Sequence, residues 1–109
     1  MIGLAMMVSA TFVTATELNT LCMSKKADDQ LVCSAYIIGA TDGIHIGAMA
    51  VDPSKDNDRV CLPIGAIPQD VVDLVKTYLR ESKLDHDVDA SVFVYGALDT
   101  KWRCPAPKE

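Results

Sequence analysis

Positive charge is scarce in this sequence. Ten Lys and Arg face fifteen Asp and Glu, which leaves a formal net charge of −5 at neutral pH. Nucleic acid and anionic lipid surfaces both attract a positive field, so the balance argues against either as a partner and leaves proteins as the expected class. Charge of either sign is missing from the first 15 residues, and no Lys or Arg precedes Ile2. Convincing strand alternation, internal repeats and a linker of shifted composition are also absent. Chemistry is thinly represented. There is no phosphate-binding glycine loop, no serine in a nucleophile elbow and no carboxylate pair in a catalytic frame. The sequence therefore predicts a single domain that acts by binding, not an enzyme, and it calls for no cofactor.

What is present begins with the uncharged start. Residues 1–15 are mostly small and apolar, and Val13-Thr14-Ala15 has the small-residue character of a signal-peptidase site. This run is shorter than the roughly 20 apolar residues of a membrane span. It is expected to be an export signal, possessing no basic start, with residues 16–109 forming the domain. Four cysteines follow it: Cys22, Cys33, Cys61 and Cys104. An even count in a short exported chain reads as a disulfide framework. A zinc site would bring ligands in close pairs, and these spacings contain none, so no metal is expected.

Hydrophobic periodicity predicts an all-α fold, a small bundle of about four helices. A short helix runs from Thr16 to about Met23, with Leu18, Leu21 and Cys22 on one face. Ser24 to Gln30 reads as a charged turn. Leu31 to Val51 is apolar nearly all round, which predicts a central buried helix. Membrane insertion of that run would place Asp42 and His45 near mid-bilayer, where an acidic group costs ~3 kcal/mol, so no membrane is expected for the mature form. Asp52 to Ile67 is a loop with the acidic tip Asp56-Asn57-Asp58. Pro68 opens a third helix whose buried stripe is Val71, Val72, Val75, Tyr78 and Leu79. Asp85 to Asp87 caps a fourth helix that runs to about Trp102, with Val88, Val92, Tyr95, Leu98 and Trp102 at helical spacing.

Those helices set the pairing of the cysteines. The third and fourth helices are joined by a short turn and run antiparallel, so Cys61 before one lies near Cys104 after the other. Cys22 ends the first helix and Cys33 opens the second. Of the three possible connectivities, this geometry favours 22–33 with 61–104.

Four features invite a functional reading. Gly39, Gly43 and Gly47 recur every fourth residue on the second helix, at a cost of about 1 kcal/mol each relative to Ala. Close approach of another backbone, inside the bundle or across a dimer, would account for them. Asp42 and His45 are three residues apart and could form a local polar contact. Tyr36 and Trp102 could anchor an interface, since such residues dominate hot spots, but their helical register favours core. The acidic tip Asp56-Asn57-Asp58 is the candidate binding element, since rigid scaffolds carry function on their loops.

The sequence also resembles a known family. The residues that carry this are Cys22, the stretch Cys33-Ser34-Ala35-Tyr36-Ile37-Ile38-Gly39-Ala40-Thr41-Asp42-Gly43, the stretch Cys61-Leu62-Pro63-Ile64-Gly65, the helix from Gln69 to Leu79, and the end at Trp102 and Cys104-Pro105. Together they resemble the Rap/Tai family of type VI secretion amidase immunity proteins. Ser82-Lys83-Leu84 stands where that family often has a His-Pro turn, and Trp102-Arg103-Cys104 where it often has Phe-Pro-Cys. The resemblance implies a periplasmic, helical, disulfide-bonded protein, often a homodimer, that binds a peptidoglycan amidase toxin and blocks its cleft. In it Tyr36, Gly39, Asp42 and Gly43 are scaffold residues. The rival reading is a small periplasmic stress or chaperone-like helical protein with no toxin partner.

Overall fold

The computed structural model describes residues 13–50, 60–82 and 88–105, and the side-chain surroundings of α2 as far as residue 45. Four helices follow one another: α1 (Ala15–Met23), α2 (Ala27–Ala50), α3 (Pro68–Glu81) and α4 (Ala90–Trp102). The described residues contain no strand, only two isolated bridges, Thr14 with Asp89 and Val60 with Arg103.

Each helix starts for a local reason. Thr14 caps α1: its hydroxyl accepts from the Glu17 amide at 3.1 Å, and the Glu17 carboxylate accepts from the Thr14 amide at 2.9 Å. This reciprocal box satisfies two amides that a helix N-terminus otherwise leaves bare. α2 begins at Ala27, not Leu31, because the charged run read as a turn supplies its first turn. Asp28 and Asp29 there suit the positive end of the helix dipole. Gln30 has a second task. Its amide donates to the carbonyls of Cys22 and Ser24 at the end of α1, and its carbonyl accepts from Lys76 of α3 at 2.9 Å. α3 has proline at its first position, and the Asp70 carboxylate accepts from the Ile67 amide. α4 starts at Ala90 with Asp89 as its cap; the segment 85–87, where the sequence placed that cap, lies outside the described residues.

All four helices contribute to one core. Leu18 of α1, Ile37 of α2, Val72, Val75 and Leu79 of α3, and Val94 and Leu98 of α4 are its largest fully buried aliphatic side chains. Each contributes roughly 1.5–3 kcal/mol by leaving water. Tyr78 and Phe93 meet edge-on with ring centroids 6.0 Å apart, and Gly96 makes room, since a Cβ there would lie 3.1 Å from the Tyr78 hydroxyl oxygen. The α3 stripe is as predicted, with Tyr78 half-buried at its edge. The α4 repeat is only partly packed, with Leu98 buried and Trp102 against the core. Val88, Val92 and Tyr95 are exposed, and the buried face is Ala90, Phe93, Val94, Ala97 and Leu98. α4 is apolar on both sides, so periodicity alone could not choose between them.

Both disulfides form as the helix-end geometry requires. Cys22–Cys33 lashes α1 to α2, with Cα atoms 5.1 Å apart, and Cys61–Cys104 joins the entry to α3 with the exit from α4 at 4.8 Å. The Cys61 amide donates to the Trp102 carbonyl at 2.7 Å beside the second bridge. All four sulfurs are therefore committed, and no thiolate remains for a metal. No helix among the described residues is long and apolar enough to cross a membrane, α2 included.

The bridges close loops of different size, with sequence separations of 43 and 11. Replacing Cys61 and Cys104 with Ser is expected to lower unfolding stability by about 4 kcal/mol, and replacing Cys22 and Cys33 by about 3 kcal/mol. Urea unfolding of the two double variants checks both values and their order.

Candidate partner-binding surface

α2 departs from expectation in the way that matters most for function. Its all-round apolar character predicted burial, yet only one side is packed. Cys33, Ile37 and Thr41 face the core, and the Thr41 hydroxyl donates to the Ile37 carbonyl at 2.8 Å, so its polar atom is satisfied there. On the other side Leu31 is 70% exposed and Val32 51%, with Ala35, Gly39 and Gly43 also open. A Cβ built on Gly39 or Gly43 would meet nothing within 4 Å. Packing among the described residues does not explain these two glycines; the surroundings of Gly47 lie outside the described residues.

The open glycines form one wall of a groove. Ala35, Tyr36 and Ala40 extend that wall, and Val13, whose carbonyl accepts from the Ala90 amide, lies with Asp89 and Ser91 at the start of α4 on the other side. Tyr36 is half-buried with its ring against the core. Burial raises its pKa above the ordinary tyrosine value, hydrogen bonding from Ser91 opposes the rise, and the charge of Asp89 adds to it. The phenol is therefore neutral at physiological pH and sits as a polar mark in a mainly apolar groove. Of the four scaffold residues expected from the sequence, Tyr36 alone packs in; Gly39, Asp42 and Gly43 lie on the surface.

A second apolar depression lies between α2 and the segment entering α3. It is lined by Ile38, Thr41, Leu62, Ala66, Ile67 and Val71. The Ala66 amide donates to the Pro63 carbonyl at 3.1 Å and Gly65 takes a φ of 89°, a left-handed turn that suits glycine. The turn holds Ile64 fully in solvent, with Ile67 more than half exposed. Sequence reading passed over this segment as irregular. Its signal was three isoleucines and leucines set among Pro and Gly beside a cysteine.

Other candidates can be placed. Asp42 and His45 are both exposed, and no hydrogen bond or ion pair joins them. Among the described residues no group of three or more His, Cys, Asp or Glu side chains could hold a metal ion. Trp102 packs partly against the core, as its register implied. Asp56, Asn57 and Asp58 lie outside the described residues, in the stretch between the end of α2 and Val60.

The family comparison covers this whole framework. Rap1a immunity proteins match residues 14–104, from the Thr14 cap to the last disulfide cysteine. No curated protein and no solved structure matches the chain. An immunity protein's partner is a toxin protein, which accords with a stapled bundle that leaves apolar helix surface uncovered. By a match that takes in all four helices and both bridges, the chain belongs to the Rap1a immunity protein family.

Proposed function

We propose that this protein protects its cell in the periplasm by binding and occluding a peptidoglycan amidase toxin delivered by type VI secretion. The family match over residues 14–104 carries the immunity reading. Two disulfides support an oxidising compartment such as the periplasm. The amidase and its delivery route extend the resemblance of the Cys33–Gly43 and Cys61–Gly65 stretches.

The contact with the toxin is assigned to the acidic run Asp56-Asn57-Asp58. Its support is sequence and position. The run follows α2, and the chain is fixed again just beyond it by the Val60 bridge to Arg103 and the Cys61 disulfide. Fixing a flanking point reduces the ordering entropy that binding must overcome. Replacing all three with Ala is expected to raise Kd for the amidase encoded beside this chain at least tenfold, read by calorimetry after circular dichroism shows the helices intact. Unchanged affinity removes the run from the interface. Failure of the unaltered protein to bind that amidase overturns the amidase reading itself.

The open face of α2 is assigned to a second copy of this chain. Leu31, Val32, Ala35, Gly39 and Gly43 form a mainly apolar surface with Asp42 as a charge within it, and small residues let two helix backbones approach closely. Gly39→Ala with Gly43→Ala separates this role from intrachain packing. With nothing near either Cβ, each Ala is expected to stabilise the isolated helix by roughly 0.5–1 kcal/mol. The pair is nonetheless expected to convert a micromolar dimer into monomer by light scattering. A monomeric parent protein at that concentration contradicts the assignment.

A further inference from the structure

The two disulfides differ in what can reach them. Cys22 and Cys33 lie in the hydrophobic core, 4% and 0% exposed, on the packed sides of α1 and α2. Cys61 is exposed and Cys104 half-buried, with Arg103 and Pro105 on either side of Cys104 in solvent.

Thiol–disulfide exchange depends on this difference. An attacking thiolate must approach one sulfur along the line of the bond that breaks, so access governs the rate together with thiol pKa. A thiolate entering an apolar core also loses its hydration. Both obstacles protect Cys22–Cys33 until the bundle unfolds. Neither stands in front of Cys61.

The bundle is held by enough other ties to outlast the exposed bridge. α1 stays lashed to α2 by Cys22–Cys33, and Lys76 of α3 stays on Gln30 of α2. A strap joins the start of α1 to the start of α4: the Val13 carbonyl accepts from the Ala90 amide, and the Ala15 amide donates to the Val88 carbonyl, both at 2.8 Å. All four helices still share one core. Opening the bridge loosens only the entry to α3, which is held to the end of α4 by the bridge, the Cys61–Trp102 hydrogen bond and the Val60–Arg103 pair.

We propose that Cys61–Cys104 is a site of thiol–disulfide exchange in the folded protein, that its partner is a dithiol, and that Cys22–Cys33 is closed to the same reagent. A thiolate of the dithiol attacks Sγ of Cys61 and forms a mixed disulfide. The Cys61–Cys104 bond breaks, and Cys104 leaves as a thiolate that takes up a proton. The second thiol of the dithiol gives up its proton and attacks the mixed disulfide. It closes the dithiol's own disulfide and releases Cys61, which is protonated in turn. Two electrons and two protons pass from the dithiol to the bridge. The protein goes from a two-bridge to a one-bridge form without unfolding.

The test is brief treatment of the full chain with dithiothreitol, acid quenching and alkylation of the freed thiols, read by peptide mass mapping. Label is expected at Cys61 and Cys104 at least about tenfold faster than at Cys22 and Cys33. In concentrated urea, where burial is removed, the two bridges are expected to open at similar rates. The one-bridge form is expected to keep its helical circular dichroism and to gain hydrogen exchange at residues 60–67 but not in α1. Simultaneous opening of both bridges, or earlier label at Cys22 and Cys33, overturns the proposal. Loss of the helical signal with the first bridge overturns it too, because exchange would then require unfolding. A rate difference that persists in urea also contradicts it, because burial would not be the cause. Cys61→Ser with Cys104→Ser supplies a second reading: its remaining bridge is expected to resist dithiothreitol while the variant is folded, and opening as fast as the parent's exposed bridge contradicts the proposal. None of these readouts involves a toxin, so their failure is distinct from failure of the immunity assignment.

Discussion

Cys61 and Cys104 hold together the two points where the chain enters α3 and leaves α4, and much of the surface depends on that clasp. With the Cys61 amide bonded to the Trp102 carbonyl, and Val60 bridged to Arg103, the helices are tied antiparallel across the core. The same clasp fixes one end of the Leu62–Ile67 segment, while Pro68 and Asp70 fix the other. Apolar side chains such as Ile64 can then stay in solvent without folding back. A domain of this size buries only a modest core, so covalent closure supplies stability that packing alone would struggle to provide.

The opposite end of the bundle is tied by a different combination. Cys22–Cys33 draws α1 onto α2, Gln30 satisfies the carbonyls at the end of α1, and Lys76 links Gln30 to α3. The Val13–Ala15 strap then joins α1 to α4. Because these ties hold α2 by one side, its other side need not be packed. Leu31, Val32 and the Gly39–Gly43 face remain open, and that exposed apolar surface is available for association. Immunity proteins work by association, so structure and family point to the same use of the fold.

Local signals account for what the sequence made legible. Four helices, the α3 stripe and both disulfide pairings followed from periodicity and helix-end geometry. α3 was readable because its polar and apolar sides separate cleanly. α2 and α4 were harder because both are apolar on more than one side, and periodicity cannot then say which side packs. The helical repeat of α4 runs through Val92 and Tyr95, whereas the packed side runs through Phe93 and Val94. The first turn of α2 was hidden by its own charges, which read as a turn until the helix dipole is considered. The links of Val13 and Ala15 to α4 and of Gln30 to Lys76 had no local signal, since those partners lie on segments distant in the chain. Of the candidate site, the glycines were visible as an anomaly, but their openness required the fold.

The central claim is that this bundle neutralises a toxin in the compartment where its disulfides form. Viability measures this most directly. Cells would carry the toxin encoded beside this chain, routed to the periplasm, together with either the exported protein or a form retained in the cytoplasm. The account predicts that the exported form restores colony counts by orders of magnitude and that the retained form does not. Equal rescue by both forms, or rescue by neither, would contradict it.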